Sequence, residues 1–356
     1  MAKEAGRNKS RNILLSRFSA LGDIAMTIPA VYDACYANPD DNFYFITRRH
    51  PAQLFVNAPE NLTVVAIDLE NYKGMKGIWR LAAALKSRYE IDYFLDLHDV
   101  VRTKLLRAFL RLRGVRCFHL NKGRSDRKKL TRTNRKVLIP LRPTTERYRD
   151  VFVKSGITID RKFISIYDNG KGDPSQFKAV SEPKKEGEYW LAVAPFAQHE
   201  GKIYPFELLE KVIADCAAKK NVKIFVFGFG PREQKLISSL SEKYENVVNM
   251  AAAKIGLGAE LSLLSYCDTM LSMDSANMHL ASLVGLRTVS VWGATHPYTG
   301  FFGWQQDVAD AVQLDMTCRP CSIYGNKACL RGDYHCLWGI TPQMIIQRLR
   351  IPSDKL

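Results

Sequence analysis

Residues 12–31, NILLSRFSALGDIAMTIPAV, change from a strand-like to a helix-like pattern. The apolar run at 13–15 predicts a buried β-strand, and the apolar residues at 24, 28 and 31 have helical spacing. Gly22 and Asp23 therefore lie where a strand ends and a helix begins. In open α/β sheets, ligands bind outside the carboxyl ends of the strands. The stretch predicts an α/β fold with a candidate binding site at its first turn.

Asp23 has two interpretations. Its carboxylate could cap the helix by accepting hydrogen bonds from backbone N–H groups. It could instead act as a general base that faces a cleft. Capping requires no basic neighbour, so the nearby Arg17 favours the second interpretation.

Both halves of the chain alternate strand-like and helix-like segments, which predicts parallel sheets with helical crossovers. The length of 356 residues is enough for two domains. The polar stretch 171–188, rich in Gly, Pro and Lys, is the predicted linker. The predicted division is a first domain over 1–170, a second over 189–340 with a cysteine-rich segment at 318–336, and a C-terminal helix within 341–356.

The net charge of +16 is concentrated in the first half. Residues 1–180 contain 34 Lys and Arg against 18 Asp and Glu, whereas residues 181–356 contain 18 of each class. The stretch 102–136 is strongly basic, with Asp126 as its one carboxylate. It would attract a polyanion, such as nucleic acid, an anionic membrane surface or a phosphorylated substrate, unless it is a solvated loop. Its part 121–136 has few apolar residues and is predicted to be a mobile loop.

Other partners and compartments are restricted by composition. Phe109 and Phe118 do not form the aromatic array that base stacking requires, so no nucleic-acid partner is expected. No apolar run approaches the roughly 20 residues of a membrane-spanning helix. The charged first residues lack the apolar core of a signal peptide. We therefore expect a cytoplasmic protein.

Two loops of the second half carry candidate ligand groups. Gly228 and Gly230 follow a predicted strand, where glycines let the backbone approach a ligand and a helix N-terminus attracts phosphate. The full dinucleotide fingerprint is absent, so a structural turn explains these glycines equally well. Glu233 could complement the helix dipole or hydrogen-bond a ribose. Lys202 could neutralise a diphosphate, although most loop lysines are simply solvated.

Two polar turns follow neighbouring predicted strands at the same edge of the second sheet. Asp274 is a good N-cap, and Ser275 and His279 share a helical face because they are four residues apart. The N–H groups of 275–277 and the Ser275 hydroxyl would form an anion site. A capped helix with a partly buried histidine fits the same pattern. The turn 292–297 ends the next strand, which favours a shared pocket.

Taken together, these residues resemble glycosyltransferase family 9, the ADP-heptose:lipopolysaccharide heptosyltransferases. The family usually has Asp-Thr-Gly where this chain has Asp274-Ser275-Ala276. The matching stretches follow the family's order and span nearly the whole chain. They are RFSALGDIAMTIPAV (17–31), APFAQHEGKIYP (194–205), VFGFGPREQKLI (226–237) and LSMDSANMHLASLVGLRTVSVWGATHP (271–297).

The resemblance implies a GT-B fold, an α/β architecture of two Rossmann-like domains with parallel sheets facing a central cleft. It implies an inverting transfer that requires no metal, from ADP-heptose to the lipopolysaccharide inner core (lipid A–Kdo). By position, Asp23 would be the general base and Lys202 the cation on the donor diphosphate. The expected donor- and nucleotide-binding residues are Gly228, Gly230, Glu233, Asp274, Ser275, Ala276, His279 and Thr295.

The resemblance also places an anionic glycolipid acceptor on the first domain, where the basic stretch is predicted. The protein would then act as a peripheral protein at the inner face of the cytoplasmic membrane. As in GT-B folds generally, the C-terminal helix is expected to pack back on the first domain. The expected acceptor-binding residues are Arg17, Ser19, Gly22, His98, Arg102, Arg127, Lys128 and Lys129.

Four cysteines near the end of the chain raise the question of a structural metal. Four cysteines with one C-x2-C pair can hold zinc, and disulfides are not expected in the cytoplasm. A reduced, packed loop explains the same residues without a metal. The four are Cys318, Cys321, Cys329 and Cys336.

Two other functions remain open at this level. One is a family 9 enzyme that uses a different nucleotide-sugar donor. The other is a non-catalytic polyanion- or nucleic-acid-binding protein that uses the stretch 102–136. The second leaves Asp23 and Asp274 without a role.

Overall fold

The structure is a computed structural model that describes residues 10–160 and 162–352. The chain forms two compact units. Residues up to Lys122 together with Thr145–Phe163 form the first, and Gly123–Thr144 together with the residues from Ile164 onward form the second. Parts of the predicted terminal segments, 1–9 and 353–356, lie outside the described residues, as does Arg161.

The first unit is built on a parallel sheet of five strands in the order β3-β2-β1-β4-β5. The central strand β1 is buried on both faces, and Ile13, Leu14 and Leu15 are fully inaccessible to solvent. A continuous apolar run is the pattern of a strand covered by helices on both sides of a parallel sheet. The strands are β1 (Asn12–Ser16), β2 (Asn42–Thr47), β3 (Leu62–Ala66), β4 (Tyr93–Asp96) and β5 (Arg116–His119).

The helices of the first half follow the predicted alternation with one interruption. The residues with helical spacing at 24, 28 and 31 are divided between two helices. Pro29 has no N–H to continue the hydrogen-bond ladder, and the Thr27 hydroxyl donates to the Ile24 carbonyl oxygen at 2.7 Å. The helices are α1 (Leu21–Ala25), α2 (Ile28–Ala37), α3 (Arg49–Ala52), α4 (Gly74–Tyr89), α5 (Val101–Arg111), α6 (Arg124–Leu130) and α7 (Thr144–Ser155), with a 3-10 turn at Leu69–Tyr72.

The second unit contains a parallel sheet of six strands in the order β11-β10-β9-β6-β7-β8. Its strands are β6 (Tyr189–Ala194), β7 (Val222–Val226), β8 (Val247–Asn249), β9 (Thr269–Met273), β10 (Thr288–Val291) and β11 (Ala311–Val312). Its helices are α8 (Phe206–Ala217), α9 (Pro231–Lys243), α10 (Met250–Ala253), α11 (Leu257–Leu264), α12 (Ala276–Leu283), α13 (His335–Trp338) and α14 (Pro342–Leu349), with 3-10 turns at Pro174–Phe177, Glu200–Lys202, Pro297–Thr299 and Val308–Asp310.

The strand order of each sheet reverses direction beside its first strand, β1 or β6. Doubly wound sheets bind ligands at this reversal, outside the carboxyl ends of the strands. The α/β class with two parallel sheets is therefore confirmed. The edges that should carry ligand groups are those after β1 and β4 in the first unit and after β6 and β9 in the second.

The segment 123–144 belongs to the second unit. Its place in the sequence predicts the first domain instead, and the composition of 121–136 predicts a mobile loop. Its helix α6 buries Leu130. The ammonium of Lys136 donates to the carbonyl oxygens of Thr317, Cys318 and Pro320 at 3.2, 2.7 and 3.2 Å. These contacts fix a segment whose composition alone indicates a solvated loop.

Two further segments differ in place from their expected positions. In the predicted linker 171–188, Phe177 is buried edge-on against Tyr266, with ring centroids 5.3 Å apart, so this stretch packs on the second unit. The C-terminal helix α14 buries Ile345 and Leu349 in the core of the second unit and packs on α8. It was expected against the first domain, but its apolar face is covered within its own unit. Among the described residues, no helix has the length and apolarity to cross a bilayer.

Candidate functional site

Asp23 is the third residue of α1, the helix that follows the carboxyl end of β1. Its Oδ2 lies 2.5 Å from Nη2 of Arg17 and accepts a hydrogen bond from the Ala20 N–H at 3.4 Å. About a quarter of the Asp23 side chain (26%) is exposed, whereas Arg17 is buried. The carboxylate therefore closes the first turn of its helix and also presents an accessible face. Both interpretations of Asp23 describe part of this geometry.

Arg17 is held by elements that lie far away in the sequence. Its Nη1 donates to the Leu97 carbonyl oxygen at 2.6 Å, and its guanidinium lies 5.6 Å from the ring centroid of Tyr148. The Tyr148 hydroxyl donates to the Asp23 carbonyl oxygen at 3.4 Å. The loop after β4 and helix α7 therefore fix the cation that orients the Asp23 carboxylate.

His98 lies beside this carboxylate at the end of β4. Its backbone N–H donates to Oδ1 of Asp96 at 3.0 Å, and its Nε2 lies 3.4 Å from the Ser19 hydroxyl. Burial is the main cause that lowers the pKa of His98 to about 3, and the nearby Arg17 adds to it. The imidazole is therefore neutral at neutral pH, and it can exchange hydrogen bonds with a substrate hydroxyl without carrying charge.

The structure brings five of the expected first-domain residues to one edge of the first sheet. Gly22 is buried in α1 next to Asp23, and Arg102 lies half-buried in the first turn of α5, the helix that follows the β4 loop. Arg17, Ser19 and His98 surround the carboxylate as described above. This edge combines a carboxylate, a fixed guanidinium and a neutral imidazole.

Three expected acceptor residues lie elsewhere, on α6 in the second unit. Arg127 Nη1 donates to the Tyr324 hydroxyl at 2.8 Å, and its guanidinium is 4.9 Å from the ring centroid of Phe301. Lys128 and Lys129 are exposed on the same helix. The expected acceptor set is thus divided between two units, because α6 is anchored by contacts that its basic sequence does not reveal.

Lys202, Asp274 and Thr295 converge at the carboxyl edge of the second sheet. Lys202 Nζ lies 2.9 Å from Asp274 Oδ2, and the Thr295 hydroxyl donates to the same oxygen at 2.7 Å. The three residues follow β6, β9 and β10, and the strand order reverses between β6 and β9. The cation expected to neutralise a diphosphate is therefore held by a buried carboxylate at the reversal point of the sheet.

The N-terminus of α12 adjoins this ion pair. Ser275 is its N-cap and Ala276 its first residue, and the Ser275 hydroxyl lies 3.3 Å from that of Ser272. Residues 275–277 are partly exposed, whereas His279 is buried. The first N–H groups of this eight-residue helix have no acceptor within the helix, and Lys202 pairs with Asp274, the residue before the N-cap. Together they form an electropositive site suited to phosphate.

The loop after β7 is a tightly built turn. Gly230 has φ +85° as the N-cap of α9, and a Cβ on Gly228 would lie 2.6 Å from Cδ1 of Ile237. Oε2 of Glu233 accepts a hydrogen bond from the Phe229 N–H at 2.7 Å. The positive φ of Gly230 and the close packing of Gly228 therefore explain both glycines without a ligand. Glu233 fixes the loop, a role that neither sequence interpretation included.

Arg319 is a residue of this site that sequence reasoning missed. It is almost wholly buried and donates to the carbonyl oxygens of Trp292, Gly293 and Thr295 at 3.0, 2.5 and 2.9 Å. The turn that carries Thr295 is therefore fixed by the beginning of the cysteine-rich segment. The sequence contains no signal for this role, because an arginine in a polar loop is ordinarily exposed.

The cysteine-rich segment lies in the second unit. Its four cysteines, all within the described residues, have free thiols. Burial raises the pKa of Cys336 to about 11, so this thiol stays protonated at neutral pH. Across residues 10–160 and 162–352, no group of three or more His, Cys, Asp or Glu side chains is arranged to hold a metal ion. One cavity is lined by Cys318, Cys321, Cys329 and Cys336 together with Arg319 and His335.

The same segment lies against the Lys202 loop. Gly325 packs on the lysine stem so closely that a Cβ would lie 2.6 Å from its Cγ. The Tyr334 hydroxyl donates to Oε2 of Glu200 at 3.3 Å. The segment therefore supports two sides of the site, the Lys202 loop and the Thr295 turn.

Solved structures with this architecture narrow the class of protein. A glycosyltransferase of family 9 from Veillonella parvula superimposes with a TM-score of 0.72 at 16% identity, covering 97% of this chain and 98% of that one. The ADP-heptose lipopolysaccharide heptosyltransferase II of E. coli superimposes with a TM-score of 0.65 at 15% identity, covering 95% and 97%. The fold is thus that of the GT-B glycosyltransferases.

Sequence comparison identifies the family within that class. The sequence model of the family described as glycosyltransferase family 9 (heptosyltransferase) matches residues 78–329. Lipooligosaccharide heptosyltransferase 2 of Campylobacter jejuni is 22% identical over 344 residues, which are 93% of this chain and 94% of that protein. This chain belongs to glycosyltransferase family 9 and is a glycosyltransferase. The family model begins after Asp23, so the role of that residue depends on its geometry and not on this match.

Proposed function

We propose that this enzyme transfers a heptose from ADP-heptose to the lipopolysaccharide inner core, the lipid A–Kdo acceptor, with inversion and without a metal. The observation that carries the mechanism is the partly exposed Asp23 carboxylate, fixed by buried Arg17 at 2.5 Å. The donor is suggested by the structural neighbour from E. coli, an ADP-heptose lipopolysaccharide heptosyltransferase, and the acceptor by the Campylobacter relative, a lipooligosaccharide heptosyltransferase. Because this acceptor is lipid-linked, we place the enzyme in the cytoplasm at the inner face of the membrane.

The second unit supplies the donor site in this proposal. Transfer breaks the bond between the anomeric carbon and the diphosphate oxygen, so negative charge develops on departing ADP. Lys202 has three N–H donors and can hold a phosphate oxygen while it remains paired with Asp274. The N–H groups at the start of α12 add fixed partial positive charge. Thr295 contributes by holding Asp274 in place.

The first unit supplies the base. Asp23 accepts the proton of the acceptor hydroxyl while its oxygen forms the new bond to the anomeric carbon, on the face opposite the departing diphosphate. A direct displacement of this kind inverts the anomeric configuration. Arg17 fixes the direction of the carboxylate, and neutral His98 and Ser19 orient the acceptor by hydrogen bonding.

Asp23→Asn tests the base. We expect transfer to fall by about 10²–10⁴-fold, since this is the usual contribution of a general base, while the Kd of ADP stays unchanged. Asp126→Asn, at an exposed carboxylate on α6, is the matched control and should transfer at the wild-type rate. Equal turnover of Asp23→Asn and wild type would remove Asp23 as the base.

Calorimetric binding of ADP, UDP, GDP and CDP, with and without EDTA, tests the donor. Selective binding of ADP that EDTA does not change would support ADP-heptose and a reaction without a metal. Preference for another nucleotide would retain the fold and mechanism and replace the donor. The anomeric configuration of the product, read from its NMR couplings, tests inversion directly.

A further inference from the structure

The surface formed by α4 and α5 exposes large apolar side chains. Met75 and Trp79 lie four residues apart on α4, on the same helical face, and are 66% and 45% exposed. Leu112, directly after α5, is 75% exposed. Single exposed apolar residues are ordinary in soluble proteins, but a group of them on two packed helices marks an interaction surface.

Trp79 is held in a fixed position on this surface. Its ring meets Phe109 of α5 edge-on, with centroids 5.1 Å apart, and the Arg113 guanidinium lies 3.8 Å from its centroid. These contacts hold the Trp79 side chain in one position while part of its indole ring stays exposed to solvent. Trp is enriched at the boundary between lipid acyl chains and headgroups, and Arg places its charged end there.

The charge of the two helices has one sign. Together α4 and α5 contain eight Lys and Arg and no Asp or Glu. Part of this charge is neutralised from the sheet side, since Arg107 pairs with Asp96 at 3.1 Å and Lys104 lies 3.8 Å from Asp99. Lys76, Arg80 and Arg111 are exposed to solvent. The eight are Lys76, Arg80, Lys86, Arg88, Arg102, Lys104, Arg107 and Arg111.

We propose that this α4–α5 surface docks the enzyme on an anionic lipid bilayer, with Met75, Trp79 and Leu112 entering the interface and the surrounding cations meeting the headgroups. Charge complementarity selects a negatively charged partner, and the exposed apolar group selects one with an apolar interior. The inference rests on one part of the proposed function, namely that the acceptor is linked to a lipid.

Vesicle sedimentation tests the surface. The full-length protein should bind vesicles that mix phosphatidylcholine with phosphatidylglycerol, bind far less to phosphatidylcholine alone, and lose binding at high salt. Lys76→Gln with Arg80→Gln should weaken partitioning about thirtyfold, because each basic residue contributes about a factor of five near an anionic surface. Met75→Asp with Leu112→Asp should weaken it more than about tenfold.

Matched controls use similar residues elsewhere. Leu138→Asp with Ile139→Asp changes two exposed apolar residues of the second unit, and Lys211→Gln with Lys220→Gln removes two exposed cations. Both control variants should bind vesicles like the wild type. Equal binding to neutral vesicles, wild-type binding by the two α4–α5 variants, or loss of binding in a control variant would overturn the assignment.

The same variants separate this inference from the proposed function. ADP binding and transfer to a detergent-solubilised acceptor should be unchanged in the α4–α5 variants, since none of these four residues belongs to the proposed site. If the wild-type protein transfers heptose but does not bind anionic vesicles, the docking surface is refuted and the proposed function is not. A protein that binds vesicles but transfers no sugar would overturn the proposed function alone.

Discussion

Arg319→Met should destabilise the second unit and weaken nucleotide binding together. The native guanidinium donates to the carbonyl oxygens of Trp292, Gly293, Thr295 and Leu314 and to Oε1 of Gln313. Methionine replaces its volume but none of its hydrogen bonds. The turn that carries Thr295 would then lose its main support.

The size of the expected loss in unfolding free energy follows from the oxygen acceptors that lose their hydrogen-bond donor in Arg319→Met. Five acceptors without a donor, at about 1 kcal/mol each, amount to about 5 kcal/mol. Removal of a desolvated cation returns part of this, which leaves a loss of about 3–4 kcal/mol in the free energy of unfolding. For a unit of this size, such a loss lowers Tm by roughly 10 °C.

Thermal unfolding and ADP calorimetry on the same preparations are the measurements. Arg331→Met is the matched control, because Arg331 lies in the same segment but is exposed and pairs only locally with Asp333 at 2.9 Å. It should leave both Tm and the Kd of ADP unchanged. Arg319→Lys should recover only part of the loss, since an ammonium cannot span the fork of acceptors. A Tm of Arg319→Met equal to that of the wild type would refute the reasoning.

Three further perturbations test separate parts of the structure. The free energy of unfolding should fall as the pH is lowered from about 6.5 toward about 3, because unfolded His98 takes up a proton that the native, buried imidazole does not. His98→Gln should flatten this pH dependence, and an unchanged profile would contradict it. Asp33→Ala should cost about 3–5 kcal/mol, since it leaves buried Arg149 without the carboxylate 2.5 Å away. Urea unfolding is the measurement, and Asp40→Ala, at an exposed carboxylate, is the control. Equal midpoints for Asp33→Ala and Asp40→Ala would contradict this prediction. Lys202→Met should weaken ADP binding at least about tenfold, with partial rescue by Lys202→Arg, and an unchanged Kd would remove Lys202 from the diphosphate.

Much of the fold could be predicted from local patterning. Strands and helices alternate in both halves as predicted, because apolar spacing and terminal Pro or Gly residues are local signals. The helical pattern at residues 24, 28 and 31 is divided between α1 and α2, since a proline at the second position of α2 begins a new helix. The segment 123–144 was misplaced because its anchors, such as the carbonyl oxygens that Lys136 meets, lie some 180 residues away along the chain.

The candidate site divides in the same way. The sheet edge of the first unit at which Asp23 lies, and that of the second unit at which Lys202, Asp274 and Thr295 lie, follow from the sequence, because residues after the parallel strands of one sheet lie at the same edge of that sheet. The sequence alone therefore determined the class of fold and which loops carry the polar groups. Only the tertiary structure decided which of these groups pair: Arg17 with Asp23, and Lys202 with Asp274. It also decided that Arg319 supports the Thr295 turn, because a hydrogen bond between distant segments depends on packing that local residue patterns do not encode.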